Sequence, residues 1–551
     1  MKRTGLISGI LYGISYPLTL NLPTGVLAWF ALVPMLLSLR DGATFKAFCF
    51  KTLPVLFIGT YIFGAFVFAF GVVAGLVTCF SQCLLTFFPL VFHYFIQKRI
   101  GWRRSMWLLP AVWTVGDWLQ HLAPHSFQIS SIAYTQTTVL WFAQFADVFG
   151  MWGITFWVVA VNVSIALTVD GLYANAKGDR EGRLYQTQIP DVSGRGDLHG
   201  RPHQSRPLIT YYLPPLSIVF KKSAFQALIL FGLPLIYAFW SNANLPNGRS
   251  IKVALIQTNK DSKIIMDSIQ FNKNLINLIH LADSAAQSKP DLMVLPESAL
   301  HFPLFQDTQA FNAVRSYVLN WGTAVAVGFP EFPDTLDKQL CYNAAFVFTP
   351  SLAYAYDSLK IKTSDLKVYH KQNPLPMAEI MPYGDLLGIK GKVLPTSGVE
   401  TLRGNEPYVF SFPDRFDQEI KTSVTICWEQ FFPETQAELT ANGAQFLTQM
   451  NNDGWFGNSS GAAQLLNMNK LRAIENRRTI ARCSNTGISG FIDPFGRLYG
   501  QLKTQSEGVN TEGVILNSEL TVFSRYGNWF PKVLLLLLGI FFLSRFKQFN
   551  K

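Results

Sequence analysis

Charged residues are scarce in this chain: Asp, Glu, Lys and Arg fill only 15% of its 551 positions. A soluble domain usually contains about 25% charged residues, so the composition excludes an ordinary soluble protein. The six cysteines include no C-x-x-C pair, which argues against a structural zinc site and a dense disulfide framework. No P-loop or dinucleotide-binding fingerprint occurs either. We therefore expect no metal, no cofactor and no nucleic-acid partner.

Long apolar runs are present in place of charge. They concentrate in roughly the first 240 residues and the last 25. Because a membrane helix needs about 20 mainly apolar residues, we predict about eight spans. The predicted spans are 5–20, 24–40, 53–74, 76–97, 105–119, 150–170, 223–241 and 529–545. The stretch 120–149 is aromatic and amphiphilic, and we expect it to lie in the membrane surface rather than to cross the membrane.

The basic residues, which give a net charge of +11, lie mostly in alternate short loops between the apolar runs. Lys and Arg collect in cytoplasmic loops, so both termini and the polar loop 171–222 are predicted to be cytoplasmic. We interpret that loop as a solvated linker. The chain then divides into a transmembrane helical domain (1–244), an extracytoplasmic globular domain (245–525), and a closing transmembrane helix with a cytoplasmic tail (526–551).

The globular part alternates short apolar strands with helices, a pattern that is typical of an α/β domain. The predicted strands are 251–257, 291–295, 324–328, 344–348, 422–426 and 446–450. The predicted helices are 267–287 and 460–478, and the second of these is polar with apolar residues at helical spacing.

Three chemically capable side chains each follow the end of a predicted strand, where catalytic groups often lie. Glu297 is either a general base with a pKa raised by burial, or a buried carboxylate that caps a helix or pairs with a lysine. Lys371 either stabilises an oxyanion and positions a carboxylate, or is a surface lysine. Cys427 precedes residues predicted to open a helix, whose N-terminus favours the thiolate, although an inert buried cysteine fits the same pattern.

Taken together, Glu297, Lys371 and Cys427 on successive α/β units resemble the catalytic set of the nitrilase superfamily. The resemblance covers about residues 250–515 and includes the segments 451–457 (NNDGWFG) and 485–487 (NTG). With its membrane segments, nearly the whole chain resembles the membrane branch of that superfamily, apolipoprotein N-acyltransferase. The resemblance implies a multi-pass α-helical membrane domain joined to an α/β nitrilase-like domain, which is a four-layer αββα sandwich.

The resemblance also implies a two-step acyl transfer through a thioester on Cys427. The donor would be a membrane phospholipid, and the acceptor would be the N-terminal amine of a diacylglyceryl-cysteine apolipoprotein. The location would be the bacterial cytoplasmic (inner) membrane, with the globular domain on the periplasmic face. Nothing in the sequence demands a second subunit, so we expect a monomer.

Four further residues receive substrate-binding or orienting roles from the resemblance: Asn343, Glu379, Trp428 and Glu429. Structural salt bridges are the alternative for the two carboxylates. Trp428 stands where the family usually has Tyr, which retains an aromatic wall and loses a hydroxyl. Met377-Ala378-Glu379 stands where the family usually has Phe-Gly-Glu.

Two other classes of function stay open. A membrane-anchored nitrilase-type amidase would discharge the same thioester to water, although a soluble substrate would not require eight spans. A non-catalytic transport or lipid-binding protein is disfavoured because the predicted spans hold very few ionisable residues. The segment 301–305 (HFPLF) is either a lid that touches lipid or ordinary packing.

Overall fold

The computed structural model joins a bundle of helices to an α/β domain, and the last helix of the chain packs back against the bundle. The described residues are 2–20, 22–42, 44–123, 128–186, 225–243, 248–260, 268–333, 340–358, 366–388 and 399–549. The helices of the bundle are α1 (Lys2–Ile14), α2 (Val33–Ser38), α3 (Phe45–Phe63), α4 (Val72–Ile100), α5 (Trp102–Met106), α6 (Leu109–His121), α7 (Ala146–Gln186) and α8 (Phe225–Ala243).

Within the described ranges, four helical segments are long and apolar enough to cross a membrane, so the bundle is a membrane domain. They are Phe45–Phe70, Val72–Ile100, Ala146–Ala174 and Phe225–Ala243. The predicted spans 5–20 and 105–119 are helical, but α1 and α6 have only 13 residues each. The last predicted span, 529–545, lies in a helix that covers Trp529–Phe549.

Two predictions for the membrane domain are wrong. The segment 24–40 is not one span, because a 3-10 helix at Thr24–Trp29 is followed by α2. Pro34 lies in the first turn of α2, where its missing N–H costs no intrahelical hydrogen bond, so the sequence favours a helix that begins there. The loop 171–222 does not begin at 171, since α7 continues to Gln186; residues 187–222 lie outside the described residues.

The amphiphilic stretch 120–149 is covered by protein rather than open at the membrane surface. Its described part folds into short 3-10 turns, of which the central one is Ile132–Thr138. That turn packs between α7 and a helix of the α/β domain, Gly461–Asn476, and six of its residues are buried. Tyr134 in this turn packs against Phe431 of the α/β domain, whereas Trp141 further along the stretch stays exposed.

The α/β domain contains two mixed β-sheets. The strands are β1 (Ser250–Gln257), β2 (Leu292–Val294), β3 (Ala324–Glu331), β4 (Leu340–Phe348), β5 (Tyr369–His370), β6 (Glu400–Thr401), β7 (Val409–Pro413), β8 (Glu419–Ile426), β9 (Phe446–Asn451), β10 (Ile480–Ser484), β11 (Gly490–Ile492), β12 (Leu498–Tyr499) and β13 (Gly508–Ile515). The first sheet has the order β13-β1-β2-β3-β4-β5 with β6 beside β4, and the second has the order β12-β11-β10-β9-β8-β7. All six predicted strands are confirmed, with small shifts at their ends.

The two sheets pack face to face, and helices cover their outer faces. Val294 and Phe346 of the first sheet share one buried cluster with Val424 and Phe446 of the second. The domain helices are α9 (Ser268–Ala286), α10 (Thr308–Trp321), α11 (Pro350–Ser358), α12 (Gly384–Leu387), α13 (Pro433–Ala441) and α14 (Gly461–Asn476), followed by α15 (Val522–Tyr526) and α16 (Trp529–Phe549). Helices α9 and α10 lie on the first sheet and α13 and α14 on the second, so the predicted four-layer αββα sandwich is confirmed.

Helix α14 joins the sandwich to the membrane domain. Its residues Leu465, Met468 and Leu471 belong to the same buried cluster as Trp152 and Val158 of α7. Charged contacts reinforce this junction: Arg477, which follows α14, lies 2.8 Å from Asp147 at the start of α7. The membrane domain and the α14 side of the sandwich therefore share one apolar core.

Candidate active site

Glu297, Lys371 and Cys427 follow β2, β5 and β8, and the sandwich brings the three side chains together. Lys371 Nζ lies 3.5 Å from Glu297 Oε1. The Cys427 thiol lies close enough to the Glu297 carboxylate for each group to shift the pKa of the other. Strands β2 and β5 belong to the first sheet and β8 to the second, so the cluster spans the gap between the two sheets.

Glu379 and Asn343 complete a network around the lysine. The ammonium of Lys371 donates to Glu379 at 2.8 Å (Oε1) and 2.7 Å (Oε2). Asn343 Nδ2 donates to Glu297 at 2.8 Å and to Glu379 at 3.3 Å. The backbone N–H of Leu375 holds the second oxygen of Glu379 at 2.6 Å. Asn343 and Glu379 thus fix the positions of Glu297 and Lys371.

Burial governs the protonation states of the cluster. Burial raises the pKa of Glu297 above its usual range, and the charge of Lys371 opposes this effect only in part. Burial and the neighbouring Glu297 raise the pKa of the Cys427 thiol well above its usual value. Burial alone would lower the pKa of Lys371, but Glu379 and Glu297 together raise it. The resting site therefore holds a thiol beside an ammonium ion and a carboxylate of increased basicity.

Cys427 occupies a constrained backbone position directly after the C-terminal end of β8. Its φ of 49° lies in the left-handed region, which residues other than glycine rarely adopt. It opens the 3-10 helix Cys427–Phe431, and its carbonyl oxygen accepts a hydrogen bond of 3.2 Å from Gln449 Nε2. Backbone strain of this kind clusters at functional sites, because the surrounding structure must hold it in place. The residue as a whole is only partly buried, although the thiol itself lies in the desolvated cluster.

Glu429 ties the cysteine loop to the lysine loop through backbone groups. It accepts hydrogen bonds from the N–H groups of Ile426 at 2.8 Å and Gln372 at 2.7 Å. The Tyr369 hydroxyl donates to it at 2.8 Å. Ile426 precedes Cys427 and Gln372 follows Lys371, so this fully buried carboxylate sets the distance between the two loops.

Trp428 points towards the membrane domain. The residue is 1% exposed, its ring lies tilted against Phe431 with the ring centroids 4.1 Å apart, and it belongs to the core that both domains share. The substrate-binding role that the sequence suggested for Trp428 stays a prediction, and the structure shows the residue as an anchor for the backbone next to Cys427.

The proposal that segment 301–305 is a lipid-touching lid is wrong for its second half. Leu304 is fully buried, and Phe305 packs edge-on against Phe329 and Phe346 at 5.4 and 5.2 Å. Ordinary packing explains these side chains.

A residue that the sequence analysis overlooked lies nearby: Lys260 contacts His301 beside the Glu297 loop. Its place just after β1, next to β2, was the available signal.

The segments 451–457 and 485–487 hold the loops of the second sheet in place next to the site. Asp453 forms a fully buried ion pair of 2.8 Å with Arg482. A Cβ on Gly487 would lie 2.1 Å from Asp453 Oδ2, so only glycine fits there. Phe456 meets Phe66 of the membrane domain edge to face at 5.4 Å. These motif residues therefore fix the loops of the second sheet and dock them on the bundle.

Comparisons with known proteins cover both parts of this architecture. Residues 252–518 match the carbon-nitrogen hydrolase family model, and residues 8–164 match the model of the apolipoprotein N-acyltransferase N-terminal domain. The apolipoprotein N-acyltransferase of Chlorobaculum tepidum is 29% identical over 97% of this chain and 94% of its own length. That of Geobacter metallireducens is 27% identical over 95% of this chain and 91% of its own. The chain belongs to the apolipoprotein N-acyltransferase family.

The family models account for the helical bundle as well as the sandwich, so the resemblance stated from the motifs is confirmed. Solved structures of two other proteins are similar to about half of the chain. An amidase from Nesterenkonia sp. is 17% identical, with a TM-score of 0.34, and covers 50% of this chain and 94% of its own length. Nit3 of Saccharomyces cerevisiae, a member of the nitrilase superfamily, is also 17% identical, with a TM-score of 0.34, and covers 48% of this chain and 90% of its own.

Proposed function

We propose that this protein transfers an acyl chain from a membrane phospholipid to the N-terminal amine of a diacylglyceryl-cysteine apolipoprotein. The observation that carries the proposal is the Glu297–Lys371–Cys427 cluster in a sandwich whose core continues into a membrane bundle. Membership of the apolipoprotein N-acyltransferase family supports the same reaction.

The first half-reaction acylates the enzyme. Glu297 takes the proton from Cys427 Sγ as the sulfur attacks an ester carbonyl of the phospholipid. The positive charge of Lys371 and the backbone N–H groups next to Cys427 stabilise the oxyanion of the tetrahedral intermediate. The C–O bond then breaks, and Glu297 returns its proton to the departing lysophospholipid alkoxide. A thioester and an ionised Glu297 remain.

The second half-reaction returns the thiol. The free α-amine of the apolipoprotein attacks the thioester carbonyl, and Glu297 accepts a proton from the attacking nitrogen. The C–S bond breaks, the amide leaves, and Glu297 protonates Cys427 Sγ. The same carboxylate serves as base and acid in both halves, a task that suits its raised pKa.

A hydrolase would use the same three residues, so they do not distinguish acyl transfer from hydrolysis. The membrane domain supports acyl transfer. A thioester must be protected from water if an amine is to receive the acyl group. A cavity of about 630 Å³ borders the loop that carries Glu379, and its wall includes His121 and Leu122 from the membrane domain. Placing the site against the bundle supports substrates that arrive from lipid rather than from water.

The location follows from the charge pattern of the sequence. We place the protein in the bacterial cytoplasmic membrane, with the sandwich on the periplasmic face and both termini in the cytoplasm. We expect it to act as a monomer, because all the residues proposed for catalysis come from one chain. A lipid donor and a lipidated protein acceptor leave no role for nucleic acid.

The test is detection of the acyl-enzyme. Purified full-length protein is incubated with a phospholipid labelled in its sn-1 acyl chain, and intact-protein mass spectrometry follows the adduct. We expect the label on Cys427 in the wild type and in Cys341→Ala, a matched control because Cys341 is a partly buried cysteine of the same domain, and no label in Cys427→Ala.

Discharge of the adduct distinguishes the two enzymatic readings. Transfer to a diacylated lipopeptide that outpaces loss to water supports the transferase. Loss to water alone would assign the protein to the hydrolases. A wild type without any adduct would remove the phospholipid-donor mechanism altogether.

A further inference from the structure

Lys260 and His301 form a second polar cluster beside Glu297, and the reaction steps above do not use it. Lys260 lies three residues beyond the end of β1, whose parallel neighbour β2 leads into the Glu297 loop. Its Nζ contacts His301 Nε2 and donates to the Ser298 carbonyl oxygen at 3.4 Å. The ammonium group is therefore directed at the residues that flank the proposed base.

The backbone of Lys260 is clamped in this position. Asn485 Nδ2 donates to the Lys260 carbonyl oxygen at 2.6 Å, and Asn485 Oδ1 accepts from the Lys260 N–H at 2.8 Å. The preceding residue, Asn259, has a left-handed φ of 49° and donates its N–H to the Asn485 carbonyl oxygen at 2.9 Å. These bonds fix the point on the main chain from which the Lys260 side chain extends.

The cluster offers hydrogen-bond donors and a single positive charge. Because Nε2 of His301 faces the ammonium group, the neutral imidazole carries its proton on Nδ1 and presents another donor. Burial and the charge of Lys260 lower the pKa of His301 to about 4, so the ring is neutral at pH 7. Burial lowers the pKa of Lys260 to about 8, and Glu297 opposes this shift. Within the described part of the chain, no salt bridge to Lys260 occurs.

We infer that Lys260 and His301 bind the phosphodiester group of the phospholipid donor. This inference rests on the proposed function, and it names the group by which the donor is held. A phosphodiester carries one negative charge and two free oxygens, which match one ammonium group and one imidazole N–H. Its acyl ester lies a few bonds away, so an anion held beside Glu297 places that ester near Cys427.

The positive charge of the cluster also favours binding of the donor before the acceptor. A cation at Lys260 attracts the anionic donor and repels the ammonium form of the acceptor's N-terminus. When the lysophospholipid leaves with its phosphodiester, the site is vacated for the acceptor. Donor binding before acceptor binding is the order that a thioester mechanism requires.

The test compares two acyl donors, one with a phosphodiester and one without. Full-length Lys260→Met and wild type are assayed in mixed micelles with phosphatidylglycerol or with p-nitrophenyl palmitate, and the initial rate of Cys427 acylation is measured. We expect the variant to raise the half-saturating mole fraction of phosphatidylglycerol about tenfold, the effect of about 1.4 kcal/mol. Acylation by the aryl ester should stay within about twofold of wild type, and Lys260→Arg should restore phospholipid binding.

Lys252→Met is the matched control, because Lys252 is an exposed lysine on β1, the strand that precedes Lys260. Equal losses with both donors would show that Lys260 supports the chemistry or the fold, and would overturn the inference. Unchanged kinetics with both donors, or slowing confined to transfer onto the lipopeptide, would overturn it as well.

Inorganic phosphate separates a headgroup site from a site for free phosphate. If phosphate inhibits aryl-ester acylation in the wild type but not in Lys260→Met, while phosphatidylglycerol dependence is the same in both, the site takes free phosphate and the headgroup assignment is wrong. Failure of the proposed function has a different signature, since the wild type itself would then gain no acyl group from phospholipid.

Discussion

Replacing Glu379 by Gln tests how the lysine and the base depend on each other. Glu379 receives two hydrogen bonds from Lys371, at 2.8 and 2.7 Å, and Lys371 is 1% exposed. Loss of hydrogen bonding between charged groups costs about 1.5–3 kcal/mol. At about 1.36 kcal/mol per factor of ten, acylation of Cys427 should slow about 10- to 150-fold if the whole cost falls on the transition state.

The same substitution should also shift the pH dependence of acylation, and the structure gives the direction of that shift. Acylation needs ionised Glu297, so the acid limb of the rate profile follows the pKa of Glu297. The negative charge of Glu379 raises that pKa, and removing the charge lowers it. Lys371, released from Glu379, would approach Glu297 and lower it further. The acid limb should therefore move to lower pH in Glu379→Gln, while the plateau rate falls.

The assay is the rate of acyl-adduct formation on Cys427, measured by intact-protein mass spectrometry between pH 4 and pH 9. Glu419→Gln is the control, because the Glu419 side chain is 63% exposed and far along β8 from the nucleophile. A plateau rate within about twofold of wild type, with an unmoved acid limb, would refute the reasoning. A lower plateau rate without a shift of the acid limb would show that Glu379 supports the structure of the site and does not influence the pKa of Glu297.

Three further substitutions test the framework of the site. Glu429→Gln places an amide N–H against backbone donors, so thermal unfolding in detergent should show a loss of about 1–3 kcal/mol together with slower acylation; normal acylation would contradict its bridging role. Arg477→Gln leaves Asp147 buried without its cation and should cost about 3 kcal/mol at the domain junction, a reading that an unchanged unfolding midpoint would reject. Gly487→Ala must displace Asp453, and a stability loss below about 0.5 kcal/mol would show that the loop relaxes instead.

The strands and the three candidate catalytic residues were predictable because local patterns determine them. Strand β2 lies in the apolar run 292–295, and Glu297 follows that run by two residues, while β8 ends in five consecutive buried residues directly before Cys427. Their proximity depends on the order of strands within two sheets, which the resemblance supplied and the pattern did not. Two-residue strands such as β5 and β6 are too short to leave any periodicity in the sequence.

The burial of polar residues in helix α14 could not be predicted from the sequence. Helix α14 contains Asn469, Arg472 and Glu475 and has the composition of a solvent-facing helix, yet all three are fully buried. Their partners are distant in sequence or on the helix itself: Asn469 donates to Gln430 at 2.7 Å, and Arg472 pairs with Glu475 at 2.7 Å. A polar helix can be buried on both faces when such partners exist, and nothing in a single sequence shows that they do.

The shared core explains why the membrane domain is more than an anchor. Trp428, the residue after the nucleophile, is fixed in the same cluster as Trp152 of α7, and Glu475 of α14 accepts the Met151 N–H at 2.8 Å. The left-handed backbone at Cys427 is therefore held on one side by the sandwich and on the other by the bundle. A strained nucleophile position persists only where its surroundings determine it on every side. The membrane helices supply one of those sides, and so they help to build the active site as well as to place it at the lipid surface.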